Sequence, residues 1–228
     1  MEFAYPHPIK AVIFDVDGVI LDTLPLYYEA LARLVPPPFP QSLVDRVNGV
    51  SDREACKIFV EFFKLDMTPE ELFEQRKSLL AELMAHAPLI PGVDRIIKTV
   101  HSKGLPMSIA TSGLRQVQET KAQSHRDLFD LFDASICGDE VKAAKPSPMI
   151  FEAASKKLGD FDPKNVLVFE DAFNGVKAAN AAGMPVVFLH RRKDDPSEGL
   201  AKVGAAPTVT IDHFDNFNFD MFNWQPEQ

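Results

Sequence analysis

Short, uninterrupted apolar runs alternate with helically spaced apolar residues along most of this chain. The first run, Ala11–Phe14, is bounded by Lys10 and Asp15; its continuity suits a strand covered on both faces, as in a parallel sheet. Similar runs recur at Met107–Ala110, Ala134–Cys137, Val166–Phe169 and Val186–Leu189. Between them, Ile96, Ile97 and Val100, and later Ile150, Phe151, Ala154 and Leu158, return at helical intervals. Strands alternating with helices of this length predict an α/β fold, a Rossmann-like parallel sheet with helices on both faces and right-handed crossovers.

One stretch breaks the alternation. From residue 23 to residue 88 only helical patterns occur. Ala55, Ile58, Phe59, Phe62 and Phe63 fit one apolar face, and Leu72, Leu79, Leu80 and Leu83 fit another, with Arg76 at its edge. Thr68-Pro69-Glu70-Glu71 reads as a helix start: a cap, proline at the first position, then acids near the positive end of the helix dipole. The expected organisation is a core of residues 1–22 and 89–228 with a small α-helical domain, 23–88, inserted after the first strand.

Composition narrows the function classes. The 228 residues are 46% hydrophobic and 25% charged, an ordinary globular mix with no call for disorder. A formal net charge of -9 argues against non-specific nucleic-acid binding, which rewards a basic face. Cys56 and Cys137 lack metal-ligand spacing and read as buried thiols of a reducing compartment. The opening residues hold no apolar run of signal-peptide length, and no stretch reaches membrane-spanning length. A cytoplasmic monomer with no membrane or nucleic-acid partner is the expectation.

Four places at or just beyond the ends of the apolar runs carry chemistry. Asp15 and Asp17 follow the first run, with Gly18 allowing an immediate turn. Thr111, Ser112 and Gly113 follow the second. Lys145 stands among prolines, and Glu170 and Asp171 follow the run Val166–Phe169. Taken singly, each has an ordinary explanation: solvated loop acids, a helix cap, a surface lysine. Taken together they put four acids, a hydroxyl and a lysine on one rim. The acids would repel one another unless a hard divalent cation, Mg²⁺ by its oxygen preference, sat among them. Thr111, Ser112 and Lys145 are then the candidate phosphate binders. Asp15 can attack phosphorus and form an aspartyl-phosphate, and Asp17 can move the proton. An EF-hand loop is excluded because its glycine belongs at the sixth position between two helices. Neither a Gly-x-Gly-x-x-Gly turn nor a Gly-Lys-Ser/Thr loop follows the first strand.

Phe14-Asp15-Val16-Asp17-Gly18-Val19-Ile20-Leu21-Asp22-Thr23, Ala110-Thr111-Ser112-Gly113, Lys145-Pro146 and Phe169-Glu170-Asp171-Ala172-Phe173-Asn174-Gly175-Val176 resemble, in order, the four motifs of the haloacid dehalogenase superfamily. The resemblance covers nearly the whole chain. It implies Asp15 as nucleophile and Asp17 as acid/base with its main-chain carbonyl on magnesium, Thr111 and Lys145 on phosphate, and Asp171 with Glu170 completing the metal set. The insert resembles the small cap of the phosphoglucomutase-like branch. Within that branch, core segments 110–112, 124–132, 138–139, 167–172, 174–176 and 181–184 are most similar to a eukaryotic nucleoside-monophosphate phosphatase. The implied activity is a Mg²⁺-dependent phosphomonoesterase for a small phosphorylated metabolite, a nucleoside or sugar monophosphate. Gly113 departs from the pattern, since a second serine is common there. Asn48-Gly49-Val50-Ser51 followed by Arg53 resembles the substrate loop of β-phosphoglucomutase, with the arginine one residue late. That makes Asn48, Gly49 and Arg53 candidates for substrate selection and keeps a sugar phosphate mutase open as the chemical alternative. A non-catalytic phosphate-binding protein is the alternative of another class. Asp17 and Asp171 oppose a dehalogenase, which needs neither the second acid nor a metal.

Overall fold

Every apolar run predicted to be a strand pairs into one sheet. The computed structural model describes residues 5–40, 42–43, 46 and 52–226. The chain divides into two compact units, Met1–Asp22 with Pro88–Gln228, and Thr23–Ala87.

The first unit opens with β1 (Pro8–Ile9) and β2 (Ala11–Phe14). The second unit then supplies α1 (Leu24–Leu34), α2 (Asp52–Phe63) and α3 (Pro69–Met84). The first unit resumes with α4 (Val93–Ser102), β3 (Met107–Thr111), α5 (Arg115–Ala122), the single turn α6 (Arg126–Phe129) and β4 (Ala134–Cys137). It ends with α7 (Met149–Leu158), β5 (Val166–Glu170), α8 (Phe173–Ala181), β6 (Val186–Leu189), α9 (Ser197–Val203), β7 (Val209–Ile211) and β8 (Asn223–Trp224).

Six strands form a wholly parallel sheet in the order β4-β3-β2-β5-β6-β7. The chain builds outward from β2 to β3 and β4, then returns to lay β5 on the other side of β2. That reversal makes β2 the switch point, where open α/β sheets bind ligands beyond the strands' carboxyl ends. Alternate residues serve opposite layers. Ala11, Ile13, Val166, Val168, Val186 and Phe188 pack on Ile150, Phe151 and Ala154 of α7 and Val176, Ala178 and Ala179 of α8. On the other side, Phe14 and Phe169 stack at 4.7 Å and meet Phe132, Phe214 and Phe217.

In the second unit, Leu31, Leu43, Cys56, Ile58, Phe59 and Leu72 form a core of their own. The helix start at Thr68 has the expected chemistry: its hydroxyl accepts from the Glu71 amide at 3.2 Å, and the Glu71 carboxylate accepts from the Thr68 amide at 2.7 Å. Phe62 departs from the predicted apolar face of α2 and is 41% exposed. Among the described residues of this unit there is no strand.

Candidate active site

Three strand ends meet at the switch point: Asp15 follows β2, Thr111 ends β3 and Glu170 ends β5. Asp15 continues the ladder, its amide donating to the Phe169 carbonyl at 3.0 Å, so its direction is fixed by the sheet. Gly18 has φ +89° and turns the chain straight after it. A Cβ on Gly18 would fall 2.0 Å from Asp171 Oδ2; only a glycine leaves that carboxylate its place.

Lys145 reaches this rim from the loop before α7. Its Nζ donates to Asp15 Oδ1 at 2.6 Å, Glu170 Oε1 at 2.7 Å and the Ala110 carbonyl at 3.2 Å. All three ammonium protons are thus engaged, and the lysine is a fixed positive centre beside Asp15. Glu170, 1% exposed, also accepts from the amides of Asp171 and Ala172 at 2.8 Å each. It therefore satisfies the chain entering α8 and holds Lys145. Thr111 is buried, and its Oγ1 accepts from the Gly113 amide at 3.1 Å, leaving the hydroxyl proton to donate elsewhere. Ser112 is exposed; its backbone carbonyl packs so closely on Gly138 that no Cβ would fit there.

Burial pushes the Asp15 carboxyl up to about 7; Lys145 opposes this, and Glu170 and Asp17 add to it. Asp171 is pushed up to about 8, by burial first and then by Glu170 and Asp15. For Lys145, burial opposes the charge, but Asp15 and Glu170 outweigh it and raise its pKa. More negative charge is gathered here than one lysine neutralises.

The match to known proteins has the same reach as these motifs. The family model for haloacid dehalogenase-like hydrolases covers residues 9–183, from β1 to the end of the turn after α8. The chain belongs to that family. It is 38% identical over 223 residues to a probable pseudouridine-5′-phosphatase of Drosophila melanogaster, covering 95% of this chain and 91% of the relative. It is 41% identical over 191 residues to (DL)-glycerol-3-phosphatase 2 of Arabidopsis thaliana, covering 79% of each. The crystal structure of a proposed β-phosphoglucomutase from Thermotoga maritima is similar with a TM-score of 0.77 and 30% identity, over 91% of this chain and 96% of that one.

In this haloacid dehalogenase-like hydrolase, the donor set suits a small hard cation. Asp15 and Asp171 are two carboxylates that resist ionisation unless positive charge is added. Among the described residues no group of three or more acids, histidines or cysteines is by itself arranged to hold a metal ion. Lys145 stands between Asp15 and Glu170, and Lys121 draws off the Asp17 carboxylate, to which it donates at 2.6 and 2.8 Å. Such an open set of few carboxylates is compatible with Mg²⁺, which keeps several waters and takes substrate phosphate oxygens as ligands. Glu170, expected among the metal ligands, has both oxygens committed to Lys145 and two amides instead.

Of the residues expected to select substrate, Asn48 and Gly49 lie outside the described residues. Arg53 forms an ion pair with Glu70 and lies over the Phe73 ring at 4.2 Å, tying α2 to α3. Sequence patterns gave no signal for Lys121, nor for Arg191, whose guanidinium holds Asp22 at 2.9 and 3.0 Å from 169 residues away. Among the described residues no helix is long and apolar enough to cross a membrane.

Proposed function

We propose that the chain is a Mg²⁺-dependent phosphomonoesterase of small phosphorylated metabolites that works through an aspartyl-phosphate on Asp15, with pseudouridine 5′-phosphate as the first candidate substrate. The observation that carries this reading is the Asp15 carboxylate, buried at the switch point and bonded to Lys145. An oxygen of Asp15 attacks phosphorus in line, the ester P–O bond breaks, and Asp17 gives a proton to the departing alkoxide. Water then attacks phosphorus of the acyl phosphate, Asp17 takes its proton, and inorganic phosphate leaves with Asp15 restored. Lys145 and the Thr111 hydroxyl offer positive charge and a hydrogen bond to the phosphoryl oxygens, and Glu170 keeps Lys145 in place. Asp15, Asp171 and the Asp17 main-chain carbonyl would hold Mg²⁺, which supplies charge neutralisation to the phosphoryl group. The names of the relatives, phosphatases of a nucleotide and of glycerol phosphate, support a small alkyl phosphate as substrate.

Asp15→Asn is expected to abolish phosphate release from p-nitrophenyl phosphate while the far-ultraviolet circular dichroism stays unchanged. Chelation should silence the wild type and magnesium restore it. A panel including pseudouridine 5′-phosphate, glycerol 3-phosphate and glucose phosphates, read as released phosphate, identifies the substrate. Full activity of Asp15→Asn would sink the nucleophile assignment. A mutase is the second reading, favoured by the likeness to the Thermotoga structure. Interconversion of glucose phosphates without phosphate release would establish it.

A further inference from the structure

We propose that Lys121 is the positioning residue of the Asp17 carboxylate, a role that rests on the phosphatase reading above. Its ammonium donates to both oxygens of Asp17, at 2.6 and 2.8 Å. The lysine side chain is 3% exposed, whereas that of Asp17 is 28% exposed. Asp17 sits in the tight turn after β2, where the Val16 carbonyl accepts from the amides of Val19, Ile20 and Leu21. Its backbone is held, but a partly exposed aspartate can turn among its χ1 wells. Lys121 grips both oxygens from a buried anchor and fixes the plane and direction of the carboxylate.

The helix that carries this lysine is built against the usual pattern. The buried residues of α5 are Gln118 and Lys121, one helical turn apart, whereas Leu114 just before it and Val117 within it are exposed. The Gln118 side-chain amide has no hydrogen-bond partner among the described residues. Burying a lysine where a valine was at hand brings no stability, because a buried ion pair is at best an even exchange for well-packed apolar side chains. The arrangement makes sense as preorganisation. A general acid must lie within hydrogen-bond reach of the leaving oxygen, and the value of holding it there is catalytic. Lys121 also keeps the two motif acids apart: Asp15 has Lys145 and Asp17 has Lys121, so neither acid competes for the other's cation.

The test compares two leaving groups. p-Nitrophenolate departs as a stable anion without a proton, whereas an alkoxide needs one, and kcat/KM reports the steps up to that departure. The substrates are p-nitrophenyl phosphate and whichever of pseudouridine 5′-phosphate and glycerol 3-phosphate the wild type turns over better. For Lys121→Met, the loss of kcat/KM should be about 10- to 100-fold larger on the alkyl ester than on the aryl ester, part of the roughly 10²–10⁴ a general acid supplies. Lys121→Arg, which can still grip a carboxylate with two donors, should bring the ratio back toward wild type. Adding Lys121→Met to Asp17→Asn should cost nothing further on the alkyl ester, because both act through one group. If the methionine variant does not fold, Lys121→Gln gives the same comparison. An equal loss on both esters, an effect on KM alone, or no loss overturns the assignment. A wild type that releases phosphate from neither ester overturns the phosphatase reading itself.

Discussion

Glu170 is the residue whose chemistry the neighbouring backbone guards most closely. Its carboxylate bonds Lys145 and two amides, and Gly175 lies so near that a Cβ there would fall 1.8 Å from Oε1. Two effects compete in Gly175→Ala. Alanine favours the α8 helix by about 1 kcal/mol over glycine. Displacing a buried carboxylate leaves donors unsatisfied at about 1–3 kcal/mol, more for charged groups. The clash should win: lower stability by urea unfolding, and a loss of phosphatase activity resembling that of Glu170→Gln. A stabilised, fully active Gly175→Ala would show instead that Glu170 can move without consequence. The sequence placed Glu170 at a strand end but could not show its partners, since an acid followed by Asp171 reads equally as a metal ligand. Lys121 was invisible for the opposite reason: a lysine inside Arg115–Ala122 reads as a solvated helix residue, and only the fold turns it inward.

Element boundaries followed from pattern where one physical signal dominated. The apolar runs became β2 to β6 because buried parallel strands need apolar residues on both faces. Thr111 and Glu170, read as the first residues past their strands, belong to β3 and β5. The edge strand Val209–Ile211 gave no such run: Thr210 is exposed, and only Ile211 is buried. The helix start at Thr68 was legible because capping is local chemistry. Its reciprocal bonds with Glu71 join a first turn of α3 that carries the acids Glu70 and Glu71. Burial accompanies little of this helix, with only Leu72 and Met84 buried, so its end depends on the cap more than on packing. Thr68→Ala should therefore cost about 1 kcal/mol. Amide hydrogen exchange in the first turns of α3 should accelerate about fivefold, while kcat on p-nitrophenyl phosphate stays put. Unchanged exchange would mean that the cap is redundant.

At the scale of the whole molecule, the switch-point topology gathers Asp15, Thr111, Lys145, Glu170 and Asp171 from separate parts of the chain and concentrates negative charge on one rim. The consequence is a coupling between pH and stability, to which the proposed metal would add. Asp15 and Asp171 are raised to about 7 and about 8 in the fold, against about 4 for an unfolded carboxyl. The folded state thus prefers both groups protonated. Their contribution to stability is complete below about pH 4 and drains away as pH rises through about 7 to 8. A divalent cation held as proposed above would require the same two groups ionised, so its binding would displace protons and strengthen with pH. In a chelator, the unfolding temperature should fall between about pH 6 and pH 8. In excess magnesium the fall should be smaller, so the gap between the two curves widens as pH rises. Scanning calorimetry in paired buffers measures that gap directly. A gap that is absent, or constant across this range, would remove Asp15 and Asp171 from the metal site. The same widening in Asp171→Asn as in the wild type would assign it to other acids.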